Sequence, residues 1–249
     1  MTKNTKVNAA ILIIGNEILS GRTQDTNTNT IALWLNTIGV KVKEVRVIPD
    51  IEDTIIDTVN YLRKANDYLF TTGGIGPTHD DITAESISKS FKLKYEIHKE
   101  AFNILEAYYK VGEFNEGRQK MVWMPSNANL ILNPTSGAPG FNVENVFCLP
   151  GVPSILKSML GGLKNRIVGG KPILSHTISL RTVESEIAKS LSDVQDNNEE
   201  LEIGSYPFFQ AGKLGVSIVI RSEDKSKIDK CSKEILDFID EKKIEVVDR

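Results

Sequence analysis

The sequence predicts an α/β protein: a three-layer α/β/α domain built on a mostly parallel sheet, followed by a small α+β domain of order β-α-β-β-α-β. Three observations carry this. Short apolar runs at Ala9–Ile14 and Tyr68–Thr72 suit strands buried on both faces. They alternate with stretches of helical period, an order that implies parallel strands, right-handed crossovers and helices on both sheet faces. After Gly169-Gly170-Lys171-Pro172, a linker composition, the alternation gives way to a split pattern of strands and two helices. The expected domains are residues 1–168 and 173–249.

Taken in order, the first strand ends in Gly15-Asn16-Glu17-Ile18-Leu19-Ser20-Gly21. In open α/β sheets ligands bind beyond such carboxyl ends, which makes Glu17 a candidate, although loop solvation explains it as well. Asp25 to Thr30 is rich in capping residues, with Thr26 or Asn27 as N-cap, and Ile31, Trp34, Leu35 and Ile38 form a helical stripe that Gly39 ends. Val40 to Val47 reads as the second strand, closing at Pro49-Asp50, so Asp50 falls at the same sheet edge as Glu17. A helix over Asp53–Ala65 leads to the third strand. Lys99–Tyr109 is a further helix, Asn129–Leu132 and Val146–Leu149 are short strands, and a helix runs from Pro153 to about Arg166. Beyond the linker, strands are expected at His176–Leu180, Leu201–Tyr206, Val216–Ile220 and Ile244–Val247, with helices at Glu184–Val194 and Lys225–Glu241. Gly212-Lys213-Leu214-Gly215 matches a GxxG pattern but lies between two strands, where a hairpin turn is expected.

The chemistry concentrates in Thr71-Thr72-Gly73-Gly74-Ile75-Gly76-Pro77-Thr78-His79-Asp80-Asp81-Ile82-Thr83, a strand, a glycine turn and a helix opening with two carboxylates. Glycines allow positive φ and close backbone approach, and a helix start offers free N–H groups to an oxyanion. Bare carboxylates repel phosphate, and a divalent cation reverses that sign. Helix capping accounts for Thr78 and Asp81 about equally well. Arg118, Gln119 and Lys120 could donate to phosphate or simply be a solvated helix end. A second loop, Asn133 to Phe141, is dense in Gly, Pro, Ser and Thr and could wrap a ligand or merely turn.

Net charge −3 and a pI near 5.8 give no bulk attraction to nucleic acid or membrane. No signal peptide or membrane span is expected, and Cys148 and Cys231 read as buried thiols rather than a disulfide, in keeping with a cytoplasmic protein. Three scattered histidines argue against a histidine-rich metal site.

The turn motif resembles the TTGGxGPTxDDxT signature of the competence/damage-inducible protein A (CinA) family, within the superfamily of molybdopterin-binding and molybdenum-cofactor biosynthesis proteins (MoaB and Mog-like). Gly15-Asn16-Glu17-Ile18-Leu19-Ser20-Gly21, Asp25-Thr26-Asn27, Pro49-Asp50, Ala138-Pro139-Gly140-Phe141 and Leu149-Pro150-Gly151-Val152-Pro153 support it in order. The distal region resembles the family's small KH-like domain. The resemblance implies a molybdopterin-binding-like fold that holds a pterin or a nucleotide phosphate. By position it implies Asp81, Asp50 and Thr83 as motif residues; with Asp80 of the same turn, Asp81 and Asp50 are the candidate catalytic acids. Thr72, Gly73, Gly74, Gly76, Thr83, Asn27, Gln119, Ser136 and Gly137 would meet substrate or phosphate. Asp80, Asp81 and Glu17 would hold a divalent metal, Mg²⁺, Mn²⁺ or Co²⁺, with potassium a further candidate. The implied activity is a pyrophosphatase acting on ADP-ribose or FAD. The alternatives are an adenylyltransferase or molybdopterin binder of molybdenum-cofactor synthesis, and a non-catalytic nucleotide-binding module. The expected partner is a phosphorylated small molecule, with self-association in view and neither membrane nor nucleic acid. Full-length CinA proteins continue into a nicotinamide-nucleotide deamidase domain; the chain stops at Arg249, so that activity is not expected. Two positions depart from the family: Ser136-Gly137 stands where Gly-Thr is usual, and Ser154-Ile155 where the last motif carries Glu.

Overall fold

The computed structural model describes residues 7–210 and 212–248; most of the N-terminal stretch to which the expectation of no signal peptide applies lies outside the described residues. The chain divides into two compact units, Met1–Gly170 and Lys171–Arg249.

Unit 1 runs β1 (Val7–Ile14), α1 (Asn16–Leu19), α2 (Asn27–Thr37), β2 (Val40–Ile48), α3 (Glu52–Ala65), β3 (Tyr68–Thr72), α4 (Thr83–Ser90), β4 (Tyr95–Ile97), α5 (Lys99–Tyr108), α6 (Glu116–Gln119), β5 (Trp123–Pro125), β6 (Asn129–Ile131), β7 (Gly140–Val143), β8 (Val146–Leu149) and α7 (Pro153–Leu160). The main sheet has order β2-β1-β3-β8-β7-β6. Its first four strands are parallel, and β8-β7-β6 forms an antiparallel edge. Successive residues of β1 explain why the first apolar run has no polar break. Ala10, Leu12 and Ile14 pack into one core with Ile55 and Val59 of α3, Ile87 of α4 and Leu105 of α5. Ala9, Ile11 and Ile13 pack into the other with Ile31 and Leu35 of α2 and Leu156 of α7. Side chains alternate across a strand, so covering both sheet faces forces both sets to be apolar.

Two features escape the sequence pattern. β4 and β5 pair into a separate two-stranded sheet, each three residues long, too short to display a period. The Gly-Pro-rich second loop ends in β7, where Gly140 and Phe141 are buried strand residues. A Cβ on Gly140 would meet the Cys148 carbonyl at 2.5 Å, so the glycine lets β7 close onto β8.

Unit 2 comprises β9 (Leu174–Leu180), α8 (Glu184–Asn197), β10 (Glu202–Gln210), β11 (Lys213–Ser222), α9 (Lys225–Glu241) and β12 (Val246–Asp248). The antiparallel sheet has order β10-β11-β9-β12. Ile178, Leu180, Val216, Ile218 and Ile220 meet Ile187 of α8 and Ile228, Cys231, Ile235 and Ile239 of α9 in one core. Gly212 turns the hairpin at φ 75° and Lys213–Gly215 belong to β11, the hairpin reading of that GxxG stretch. Both cysteines are buried and free, and no helix among the described residues is long and apolar enough to cross a membrane.

Candidate functional site

The carboxyl ends of β1, β3 and β8 lie side by side, because these strands pair in parallel. The glycine turn leaves the sheet there. Gly73 has φ 100°, and a Cβ on it would collide with the Ile14 carbonyl oxygen; Gly74 has φ 67° and would collide with the Thr83 hydroxyl. Both are glycines because the turn needs a left-handed backbone with no side chain between strand ends.

The amides of this turn are not equivalent. Gly73 N–H donates to the Leu149 carbonyl at 3.2 Å, so its expected place in a phosphate cradle is lost to sheet pairing. The N–H groups of Gly74, Ile75 and Gly76 donate to no group among the described residues. Three consecutive unpaired amides are what an anion-binding concavity requires.

The expected helix opening on Asp80-Asp81 is displaced. Pro77–Asp81 is a turn and α4 starts at Thr83. Asp81 accepts from the Thr78 N–H at 2.8 Å and from its hydroxyl, half of a capping box closed on a turn rather than on a helix. Its carboxylate lies against Gly76, where a Cβ would stand 2.8 Å away. Lys120 donates to the Thr78 carbonyl and lines the same recess as Gly76 and Asp81. Lys120 therefore brings the cation that the Arg118-Gln119-Lys120 stretch offered. Arg118 instead stacks on Tyr109 and donates to the Glu113 carbonyl, and Gln119 is tied to the Phe114 carbonyl at 3.1 Å.

Asp50 lies across the sheet edge. It accepts the Asn16 N–H at 2.8 Å, which anchors the loop after β1. Burial pushes its carboxyl above the ordinary range, and the charges of Glu17 and Asp80 push it further, against the opposing Asn16 bond. The carboxyl of the exposed Asp80 is held below the ordinary range by hydrogen-bond donors of the Thr78–Asp80 turn, with His79 and Lys120 also favouring its charge. The structure thus places Glu17 and Asp80 each within electrostatic reach of Asp50, while Asp81 turns toward Thr78, Gly76 and Lys120. Among the described residues no three His, Cys, Asp or Glu side chains stand close enough to hold a metal ion by themselves.

Three further expectations change. Thr83 is fully buried beneath Gly74, donating its N–H to the Gly74 carbonyl at 2.9 Å, so it supports the turn instead of facing a ligand. Ser136 and Gly137 close onto their own loop: the Ser136 hydroxyl accepts from Asn133 at 2.7 Å, and a Cβ on Gly137 would meet the Tyr108 ring. From that loop it is Pro139 that reaches the Lys120 recess. Ile155 packs half-buried against the α2–α7 core, so α7 brings no carboxylate at that position.

Asn27 is the most constrained polar group at the crevice. Its amide donates at 2.9 Å to the Thr72 hydroxyl and at 2.7 Å to the Gly151 carbonyl. The Thr72 hydroxyl donates in turn to the Pro150 carbonyl at 3.0 Å. Both amide hydrogens and the hydroxyl hydrogen are committed, so neither side chain donates to a phosphate. Asn27 Oδ1 is buried and without a partner.

A parallel-dominated sheet covered by helices on both faces, whose strand ends carry a glycine turn, a lysine and carboxylates, has the ligand-binding edge of an open α/β protein. Residues 10–176 match the probable molybdopterin binding domain and residues 172–248 match the FAD synthase middle domain. The chain belongs to the family of the probable molybdopterin binding domain. A protein of Archaeoglobus fulgidus is 34% identical over 94% of this chain and 98% of that one. A protein of Saccharolobus islandicus is 32% identical over 93% of this chain and 94% of its own length. The crystal structure of the protein CinA, titled as of unknown function, from Thermoplasma acidophilum superposes with TM-score 0.60 at 32% identity, covering 65% of this chain and 99% of that one.

Proposed function

We propose that the crevice binds a diphosphate ligand of the nucleotide or pterin class and hydrolyses its phosphoanhydride bond, as a divalent-metal-dependent nucleotide pyrophosphatase of the ADP-ribose or FAD class. The observation that carries this is the run of three free amides, Gly74 to Gly76, whose last two members share a recess with Lys120. The amides and Lys120 suit phosphate oxygens. The match of residues 172–248 to the FAD synthase middle domain favours the FAD side of the class.

Asp50, Asp80 and Glu17 fit a hard divalent cation in donor type, and the mutual repulsion that raises Asp50 is what a cation would relieve. With too few protein ligands converging, such an ion would take its remaining oxygens from the diphosphate. Bound there, it supplies Lewis-acid polarisation of the phosphoryl group. The chain's own work is to seat the diphosphate on the Gly74–Gly76 amides, balance its charge with Lys120 and present Asp50. Asp50 takes the Asn16 N–H on one carboxylate oxygen and has the other to accept a proton from an attacking water.

A second reading, adenylyl transfer onto a pterin diphosphate ligand, has the match of residues 10–176 in its favour and would use the same groups. A metal-by-substrate screen separates them. Purified protein with Mn²⁺ or Co²⁺ is expected to release AMP from ADP-ribose or FAD. Asp80→Asn and Lys120→Ala are each expected to lower the rate at least about 100-fold, in the range of a lost preorganised charge. No turnover of any diphosphate by folded protein overturns the hydrolase reading; AMP transfer from ATP to a pterin acceptor establishes the second.

A further inference from the structure

Unit 2 has a sheet face that neither of its helices covers. Ile178, Leu180, Val216, Ile218 and Ile220 all point into the one core shared with α8 and α9. Their neighbours along β9 and β11 therefore point the other way. On that outward side the register sets Phe208 opposite Gly215, Tyr206 opposite Ser217 and Glu202 opposite Arg221. Ser217 pairs onward with Ser179, and Thr177 and Ser175 continue the row along β9.

Two aromatic rings lie down on this face, and glycine is the reason. A Cβ on Gly204 would stand 3.0 Å from the Tyr206 ring, and one on Gly215 would run into the Phe208 ring. With only hydrogen at both positions, each ring rests against the strands. Tyr206 remains 48% exposed and Phe208 half-buried. The two residues stand about 7 Å apart along β10, roughly twice the base step of a duplex strand.

The charges of the face favour an anion. Arg221 is exposed and lines the same open depression as Tyr206. The Arg181 guanidinium sits 5.7 Å from the Phe208 ring centre and reaches the Gln210 carbonyl at 3.5 Å. Lys213, opposite Gln210, is exposed on the same side. Against these cations stand Glu202, opposite Arg221, and Asp248 of β12, beside Ser179. Unit 2 carries more acids than bases, but most of its acids lie on or beside α8 and α9.

We infer that the open sheet face of unit 2 binds single-stranded RNA, with bases stacked on Tyr206 and Phe208 and phosphates on Arg181, Lys213 and Arg221. Rings at this spacing suit unstacked bases, and every base offers a π-face. A duplex keeps its bases stacked on one another and cannot use the rings. The hydroxyls of Ser179 and Ser217, 3.1 Å apart, and of Thr177 can meet the ribose 2′-OH, the group that distinguishes RNA from DNA. The chain's net charge of −3 gives no long-range attraction, so affinity rests on stacking at short range. This site is separate from the diphosphate crevice and does not depend on it.

The test is fluorescence anisotropy of the full chain with a labelled oligouridylate of about eight nucleotides. Binding is expected, weaker for the oligodeoxyuridylate of equal length and absent for duplex RNA. Three phosphate contacts predict a slope of log K against log salt of about −2, which Arg221→Ala should reduce by about 0.7. Tyr206→Ala is expected to weaken binding about tenfold, the loss of one stacked base. Gly204→Val suits a strand but lifts the Tyr206 ring, so it should weaken binding without lowering the melting temperature. No binding at low salt, equal binding of the deoxy or duplex probe, or an unaffected Tyr206→Ala overturns the inference. So does a dimer that Tyr206→Ala breaks and that binds no RNA, which gives the face to a second copy.

Discussion

The two units treat buried polar groups differently. In unit 2 the buried polar side chains are all satisfied: Thr182 donates to Glu186 at 2.7 Å, Asn198 to the Val194 carbonyl at 2.8 Å and to Glu234 at 3.0 Å, and Ser232 to the Ile228 carbonyl at 2.7 Å. In unit 1, Asn8, Asn27, Thr28, Thr71 and Thr83 keep buried oxygens with no partner; of these, Asn27, Thr71 and Thr83 lie within or beside the strand and turn that form the crevice. Native structures rarely leave such groups unpaired. Among the described residues, unpaired buried polarity is thus confined to the large unit, and part of it lies beside the crevice.

The glycines sharpen that contrast most. Gly73 and Gly212 both have positive φ, but Gly73 is wedged against the Ile14 carbonyl and Gly212 has nothing within 4 Å of a Cβ. Gly73→Ala is expected to cost more than ~3 kcal/mol and abolish ligand binding, whereas Gly212→Ala should cost about 1–2 kcal/mol, the left-handed penalty alone. Urea midpoints check both, and equal midpoint shifts would remove the crevice's claim to special strain.

Next in size is the independence of the two cores. Ile218 is fully buried in the core of unit 2. Ile218→Ala is expected to cost about 2–5 kcal/mol. Trp34 and Trp123, the only tryptophans, both lie in unit 1. The loss should therefore appear in far-UV circular dichroism and leave the tryptophan-fluorescence transition in place. A matching fluorescence shift would mean that the units unfold as one.

The smallest effect concerns Asp50. Its folded-state pKa is raised, first by burial and then by Glu17 and Asp80, so the protonated form is favoured in the folded protein. The associated stability is full below the ordinary carboxylate range and is lost as pH rises through the raised value. Asp50→Asn is expected to flatten that segment of the stability–pH curve and to leave the melting temperature at neutral pH unchanged or slightly higher. A lower melting temperature at neutral pH would assign Asp50 to holding Asn16 and not to chemistry.

The comparison also separates what was legible beforehand. The parallel pairing of β1, β2 and β3 was readable because strands alternate with helices, and β1 shows in addition the unbroken apolar run of a strand covered on both faces. The antiparallel β7 was not, because Gly140 and Pro139 carry loop composition and the strand depends on contact with β8. Among site residues, the glycine turn and Asp50 were readable from their places at strand ends. Lys120 was weighed only together with Arg118 and Gln119, since nothing local tells which of three neighbouring polar side chains reaches a turn some forty residues earlier.

By itself the sequence determined which residues leave the sheet edge and where backbone must bend without a side chain, because burial and positive φ restrict residue type directly. Tertiary structure alone decided which hydrogen-bonding groups remain free. Gly73 lost its amide to Leu149, Thr72 its hydroxyl to Pro150, and Asn27 its nitrogen to Gly151, partners between 76 and 124 positions away. A free donor or acceptor is what remains after all partners are paired, and such pairing between distant strands exists only once the chain has folded.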